Sequence, residues 1–557
     1  MIEINLKLTP LIRKRLQILA MCAFIASSIA SMVWWNAKTS PVLVGRPHPV
    51  LGHVLDSHQY PDAFDPLWHI PKQPPQFRLA HYFMDLFGRS YEIIISVQLL
   101  FFLALVMASW RIGSRLGGPV AGRLTALFAA FTPVHMTGAL IFDDHMLNMA
   151  LVATGVACLV EGRGWRRIIF AVPAGLCFGL ILRYSFIFSN GLIAVGCGIF
   201  ALCGMTLEGL LYQGNEESDA HDSKGFWPGL MIAFAACAVL VLATLLPSLN
   251  WDGGLLNTPV NYYLSEVSAG AASPVWVDPV GLLTYPDLIF RHQLGPFLSM
   301  AVLVGLFGLL RNKIPGRYSL ILWFFGPLII LTIISKKNSY YDYCALVAAS
   351  PLAGVGIASF SNRKGWSRAA GLSVCVIAAY SLLRLFAFSP APATLMMRYL
   401  QSRPRIFLQE PYQSSFVRQD DIVTVSSLIE DVAKSHLPVW IVMTEDVALD
   451  VLEEWRYGIL MRNPYYRFDV VKDGSLYAPI STNTFFLLSK DPSLGGKPVG
   501  NLKLDELLVG KGKTPPSESP FQMGNIPVDL KQDLQIVYES RYWILLRAVS
   551  RSLGNLP

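Results

Sequence analysis

Apolar runs long enough to cross the ~30 Å hydrocarbon core of a bilayer recur from Leu16 to Phe388, and they constrain the fold more tightly than anything else in the chain. Backbone polar groups inside hydrocarbon must be paired within their own segment, so such runs fold as membrane-spanning helices. The composition agrees. Of 557 residues 53% are hydrophobic and only 15% charged, too little charge to cover the surface of a soluble enzyme of this size. The expected spans are 16–35, 92–110, 119–140, 145–161, 167–187, 190–208, 228–247, 294–311, 319–335, 343–360 and 369–388, about eleven in all. From Arg398 to Pro557 polar and charged residues take over, which marks a water-soluble domain over 391–557.

The N-terminus carries Lys7, Arg13, Lys14 and Arg15 before its apolar run, as a cleavable leader does. That run ends in Val33-Trp34-Trp35, an interfacial aromatic anchor instead of a small-residue cleavage site, so it is kept as the first span. Basic residues then report sidedness. Arg111, Arg115 and Arg123, then Arg163, Arg166 and Arg167, then Arg311, Lys313 and Arg317, and finally Arg363, Lys364 and Arg368 all fall on the side of Arg13-Lys14-Arg15. The acidic run Glu216-Glu217-Ser218-Asp219 goes against the pattern, but acids weigh little in it. With the N-terminus inside, the outer face receives the loop 38–91, the stretch Phe142-Asp143-Asp144-His145, the region 250–292, the segment 336–343 and the C-terminal domain.

Nearly all the residues with chemical potential lie on that outer face. The net charge of +7 clusters at helix ends, and no basic groove interleaved with aromatics is present, so no nucleic-acid partner is expected. The eight cysteines sit in or beside the apolar runs without metal-ligand spacing and read as packing residues.

Asp56, shortly after the first span, lies at a membrane edge, where an acid is costly unless it is used. It is a candidate base; bracing the loop or capping a short helix is the plainer reading. Asp143 and Asp144 open the fourth span and serve equally well as an N-cap or as substrate or metal ligands. Asp56, His58 and Asp144, with His53 and His145 nearby in sequence, have the chemistry for a divalent metal ion but no diagnostic spacing. Lys336 and Lys337 fit either interfacial snorkelling or contact with a phosphate. Arg183, in a nearly uncharged helix, calls for a partner or a cavity.

Taken in order, Asp56, the run Lys72-Gln73-Pro74-Pro75 leading into a helix that ends at Phe87-Gly88, and Asp143-Asp144-His145 resemble the GT-C glycosyltransferases. The branch they are most similar to is that of the protein O-mannosyltransferases and aminoarabinose lipid A transferases. Gly179-Leu180-Ile181-Leu182-Arg183-Tyr184 and Ser335-Lys336-Lys337-Asn338-Ser339-Tyr340-Tyr341 resemble two further segments of that pattern. The likeness covers about Leu16 to Leu352 and the plan of an outer C-terminal domain. It departs where Ser57 follows Asp56 in place of a second acid, and where Lys72-Gln73 precedes the prolines, which leaves the acceptor open among a protein, a lipid and a glycan.

The resemblance implies a polytopic α-helical membrane protein with a small C-terminal α/β domain, working in a bacterial inner membrane with its active site outside. It implies a polyprenyl-phosphate sugar as donor. Attack on the anomeric carbon from the face opposite the phosphate inverts its configuration, so one carboxylate, Asp56, suffices as base. The departing phosphate needs cations, for which Lys336, Lys337 and Arg183 are the candidates, with Asp143, Asp144 and Tyr341 as further substrate contacts. A transporter or flippase for lipid-linked glycans and a noncatalytic assembly subunit are the alternatives.

In the C-terminal domain, strands are expected at 438–444, 466–471, 484–489 and 542–546, and helices at 421–435 and 447–460. Gly510-Lys511-Gly512-Lys513 lacks the spacing of a phosphate-binding loop.

Overall fold

The computed structural model describes residues 10–39, 75–88, 91–140, 144–161, 166–185, 189–212, 226–245, 279–333, 341–363 and 365–386, and, toward the C-terminus, 428, 439–444, 466–471, 484–491, 497–498, 534–539 and 543–548. Helices make up one compact unit and strands the other.

The helices follow the apolar runs. In order they are α1 (Pro10–Thr39), α2 (Pro75–Phe87), α3 (Tyr91–Ala130), α4 (Pro133–Leu140), α5 (Asp144–Glu161), α6 (Arg166–Ser185), α7 (Ser189–Tyr212) and α8 (Phe226–Leu245). After these come α9 (Pro279–Leu288), a π-helical turn (Ile289–Gln293), α10 (Gly295–Arg311), α11 (Arg317–Ile333), α12 (Tyr343–Leu346), α13 (Ala349–Ala358) and α14 (Trp366–Phe386). Among the described residues Arg15–Val33, Ile95–Ala130 and Trp366–Arg384 are by themselves long and apolar enough to cross a membrane. The spans expected at 92–110 and 119–140 divide differently. The first runs straight into the second, with the break at Gly118 (φ 81°) before Pro119, and the second is interrupted between Ala130 and Pro133. The span expected at 343–360 is two short pieces, α12 and α13.

The interruption before Pro133 shows how such a break is tolerated in a lipid-embedded body. A helix end leaves four carbonyls without intrahelical donors, and in hydrocarbon each must be satisfied by protein. Here Thr132 Oγ1 donates to Phe128 O at 2.7 Å, and His135 Nδ1 lies 2.9 Å from Ala129 O, a contact that places the proton on Nδ1. Ser28 of α1 donates to Ala130 O at 2.7 Å and Ser381 of α14 to Phe131 O at 2.5 Å. Capping the end of α3 therefore also fastens α1 and α14 to it.

Between lipid-facing helices there is no hydrophobic gain from association, so contact depends on close fit and small residues. The pair α10 and α13 is the clearest case. A Cβ on Gly356 would lie 1.9 Å from Gly305 O, and one on Gly308 2.3 Å from Gly356 O. Large apolar side chains such as Phe234, Val239, Phe307, Ile329 and Leu372 point outward and are exposed, the surface expected of a body solvated by lipid.

Basic residues gather at one end of this body. There Glu208, near the end of α7, accepts from the Gly316 N–H before α11 at 2.7 Å, and Asn312, after α10, donates to Ser359 Oγ, after α13, at 2.7 Å. Trp366, opening α14, donates to Ile357 O at 2.6 Å, and Arg317 and Arg363 lie over the rings of Tyr318 and Phe360. The breaks and polar residues described below lie at the other.

The second unit is a mixed sheet of order β2-β1-β3-β6-β5, made of β1 (Val439–Thr444), β2 (Tyr466–Val471), β3 (Thr484–Asp491), β5 (Leu534–Glu539) and β6 (Trp543–Ala548), with the two-residue β4 (Lys497–Pro498) beside β3. β1 runs parallel to β2 and β3, and β6 antiparallel to β3 and β5. Consecutive residues Phe485 and Phe486 are buried, as are Leu545 and Leu546, so the centre of the sheet is covered on both faces. All four expected strands are present; the helices expected at 421–435 and 447–460 lie outside the described residues except for Leu428, which is helical.

Candidate functional site

Pro286 within α9 removes one backbone donor, and Gly295-Pro296 stops the helix again nine residues further on. Between them the chain widens into the π-turn, closed by Leu294 N–H to Ile289 O at 3.0 Å. The helix on one side is bent by 112° from α10 on the other. Gly295 carries φ +74°, and a Cβ there would lie 2.4 Å from the Tyr380 ring. Such turns recur at functional sites because they free backbone groups and redirect side chains.

This turn is held from two sides. Arg384, near the end of α14, donates through Nη1 to the carbonyls of His292 and, at 3.3 Å, of Arg291. Gln293 Nε2 donates to Asp342 Oδ1 at 2.7 Å. Gln293 and Asp342 are both fully buried. Asp342 sits one residue before α12, outside the span that begins there, and its Oδ2 has no hydrogen-bond partner among the described residues. An ionised carboxylate so placed costs several kcal/mol. Burial accordingly pushes the Asp342 carboxyl well above its ordinary value, with the Gln293 amide pulling weakly the other way.

Around the clasp lies an apolar and aromatic shell. Tyr285 and Leu288 of α9, Leu331 of α11 and Tyr341 form one buried cluster, with Ile193 of α7 and Ile289 packed against it. The His145 ring meets Tyr343 edge-on, centroids 5.5 Å apart. Trp323 Nε1 donates to Cys344 O at 3.1 Å, fixing α12 to α11. Arg291 remains 44% exposed on the turn, with Nε 2.6 Å from Asp287 Oδ1. Three stretches that the sequence assigns to the outer face, those around 144, 290 and 341, thus meet at the end of the body opposite the basic loops.

Of the residues expected in the site, Tyr341 is brought into this cluster with its ring buried. Asp144 is the first residue of α5, and Arg183 lies in the last turn of α6. Asp56, His58, Asp143, Lys336 and Lys337 lie outside the described residues, as does His53. No group of three His, Cys, Asp or Glu is placed to hold a metal ion among the described residues. The eight cysteines are all free thiols. Gln293, Asp342, Arg384 and Arg291 were not singled out in the sequence. The available signal was a carboxylate directly after Tyr340-Tyr341 and a charged pair, Asp287 and Arg291, between two helix-breaking prolines.

The fold, a body of apolar helices followed by a strand-built unit, is similar to that of solved polytopic membrane proteins of GT-C type. ArnT from Cupriavidus metallidurans, an aminoarabinose transferase crystallised with undecaprenyl phosphate, has a similar fold over 96% of this chain and 99% of its own, with a TM-score of 0.57 at 12% identity. Its apo structure aligns over the same shares with a TM-score of 0.55 at 10% identity. The archaeal oligosaccharyltransferase AglB from Archaeoglobus fulgidus, in complex with an inhibitory peptide and a dolichol-phosphate, aligns over 81% of this chain and 64% of its own, with a TM-score of 0.43 at 13% identity. All are GT-C proteins. No family model matches the sequence, and no curated protein matches it.

Proposed function

We propose that the chain is a glycosyltransferase that moves a sugar from a polyprenyl-phosphate donor to an acceptor at the outer face of a bacterial inner membrane. The observation that carries this reading is the meeting, at the end away from the basic loops, of the start of α5, the π-turn and the chain entering α12, in a body with a fold similar to that of ArnT. The acceptor oxygen forms the new bond to the anomeric carbon while the bond to the phosphate oxygen breaks. The electron pair leaves with the phosphate, and the acceptor proton passes to Asp56. Lys336, Lys337 and Arg183 balance the charge that develops on the departing phosphate, with Arg291 a further cation of the same end. Tyr341, seated in the apolar cluster, fixes the chain that follows the two lysines. Asp143 and Asp144 are assigned to substrate at the start of α5.

The test is transfer from a panel of polyprenyl-phosphate sugars by purified protein in lipid. Transfer by the wild type, lost in Asp56→Asn with donor binding retained and weakened at the binding step in Lys336→Ala, supports the assignment. A second reading, a transporter of lipid-linked glycans, is favoured by one feature, the helix broken by 112°, since transporters build substrate sites from such breaks. Donor binding without transfer, unchanged in both variants, selects that reading.

A further inference from the structure

The Gln293–Asp342 pair does nothing in the reaction as written, yet it is a hydrogen bond between two fully buried polar side chains on segments 49 residues apart. One end belongs to the π-turn that carries Arg291 and the other to the residue after Tyr341. Both lie beside the cluster of Tyr285, Leu288, Leu331 and Tyr341. Each segment also has an anchor of its own: Arg384 holds the carbonyls of the turn, and Trp323 holds Cys344 O. The pair joins the two segments directly, beside the packing of Tyr341 with Tyr285, Leu288 and Ile289.

We propose that Gln293 and Asp342 are positioning residues that lock the π-turn to the entrance of α12, and so set the distance between the two walls of the donor-phosphate site. Neither touches substrate. The lock works through Asp342 as a neutral acceptor: its Oδ1 takes the Gln293 N–H, and among the described residues its Oδ2 has no donor that an anion would require. Asparagine at 342 keeps the shape and the accepting oxygen, whereas alanine removes both. The proposal rests on the reading of this end as a polyprenyl-phosphate site.

The experiment measures the affinity of the full-length protein in nanodiscs for undecaprenyl phosphate, alongside its melting temperature. Asp342→Ala and Gln293→Ala are expected to weaken binding about tenfold each, the double variant no further than either single, and Asp342→Asn to stay within about twofold of wild type. A merely structural pair would lower the melting temperature of Asp342→Ala and leave affinity untouched, which overturns the proposal. Asp342→Asn binding as poorly as Asp342→Ala also overturns it, because a charge and not an acceptor would then be required. If the wild type fails to bind undecaprenyl phosphate, the reading of the site falls and the lock with it. If the wild type binds and Asp342→Ala binds equally well, only the lock falls.

Discussion

Replacing Gly295 with alanine strikes the bend that carries the π-turn. At φ +74° an L-residue costs about 1–2 kcal/mol more than glycine. The added Cβ would sit 2.4 Å from Tyr380 Cε1, closer than real Cβ atoms come to anything, so the ring must move. Tyr380 meets Phe297 edge-on at 5.4 Å, a contact worth about 0.5–1.5 kcal/mol, and displacement sacrifices part of it. The loss comes to about 2–3 kcal/mol, on the order of a hundredfold in the folding equilibrium. Gly371→Ala in α14 is the control: no atom lies within 4 Å of its Cβ position, and alanine in a helix interior is expected to stabilise by about 0.5–1 kcal/mol. Unfolding in nanodiscs followed by tryptophan fluorescence should separate the two in opposite directions. Gly295→Ala melting like the wild type would refute the claim that glycine holds this bend, and with it the physical account of why α9 and α10 do not form one straight helix.

Gly356→Ala should be as damaging as Gly295→Ala, because its Cβ would meet backbone of α10 and not a side chain that can swing aside; Gly196→Ala, with nothing within 4 Å, should be silent in the same unfolding assay. Asp342 makes stability depend on pH with a definite sign. Its carboxyl holds a proton in the folded protein above the ordinary value of 3.8 and loses it near 3.8 when unfolded, so stability falls as pH rises from about 4, and Asp342→Asn should flatten that slope in melting curves. If Asp56 acts as base by itself, as proposed, chelator treatment is expected to leave transfer unchanged. Loss of turnover restored by a divalent ion would instead assign Asp56, His58 and Asp144 to a metal site.

Much of this fold was legible because the bilayer enforces a simple code. Differences of at most four residues at the ends aside, the helices at 144–161, 166–185, 189–212, 226–245, 295–311, 317–333 and 366–386 lie where length and hydropathy put them. The helix Pro75–Phe87 starts at the paired prolines and stops at Gly88, whose φ of +90° ends it, as the sequence suggested. The π-turn was not legible, since Ile289-Phe290-Arg291-His292-Gln293 has no pattern that separates π from α; its geometry depends on Arg384, distant in the chain. Asp342 was passed over for a related reason. A carboxylate beside Lys336-Lys337 and two tyrosines reads as a surface residue, and its burial depends on the approach of Gln293, distant in the chain. In the sheet, β5 was missed because Leu534-Gln535-Ile536-Val537-Tyr538-Glu539 is a short edge strand with a register shift at Ile536/Tyr538, and β4 because two residues ending in proline carry no periodicity.

An alignment with ArnT over nearly the whole of both chains at 12% identity is physically reasonable for such a body. Lipid asks each span only to be apolar, long enough and internally hydrogen-bonded, and asks the breaks to be capped. Those demands admit a vast range of sequences, so the fold persists while side chains drift, and the fold by itself says little about what is transferred. Specificity then has to be sought where drift is expensive. In this chain those places are the capped end of α3, the glycine contact of α10 with α13, and the bend that Gly295, Arg384 and the Gln293–Asp342 pair hold together. The first two bind helix to helix. The bend differs: it holds buried polar groups beside a half-exposed arginine, an arrangement that packing alone does not require and that helix breaks in lipid are used to build when an anion must be met. On the proposed reading, variation at that bend is therefore where a change of donor or acceptor should first be felt.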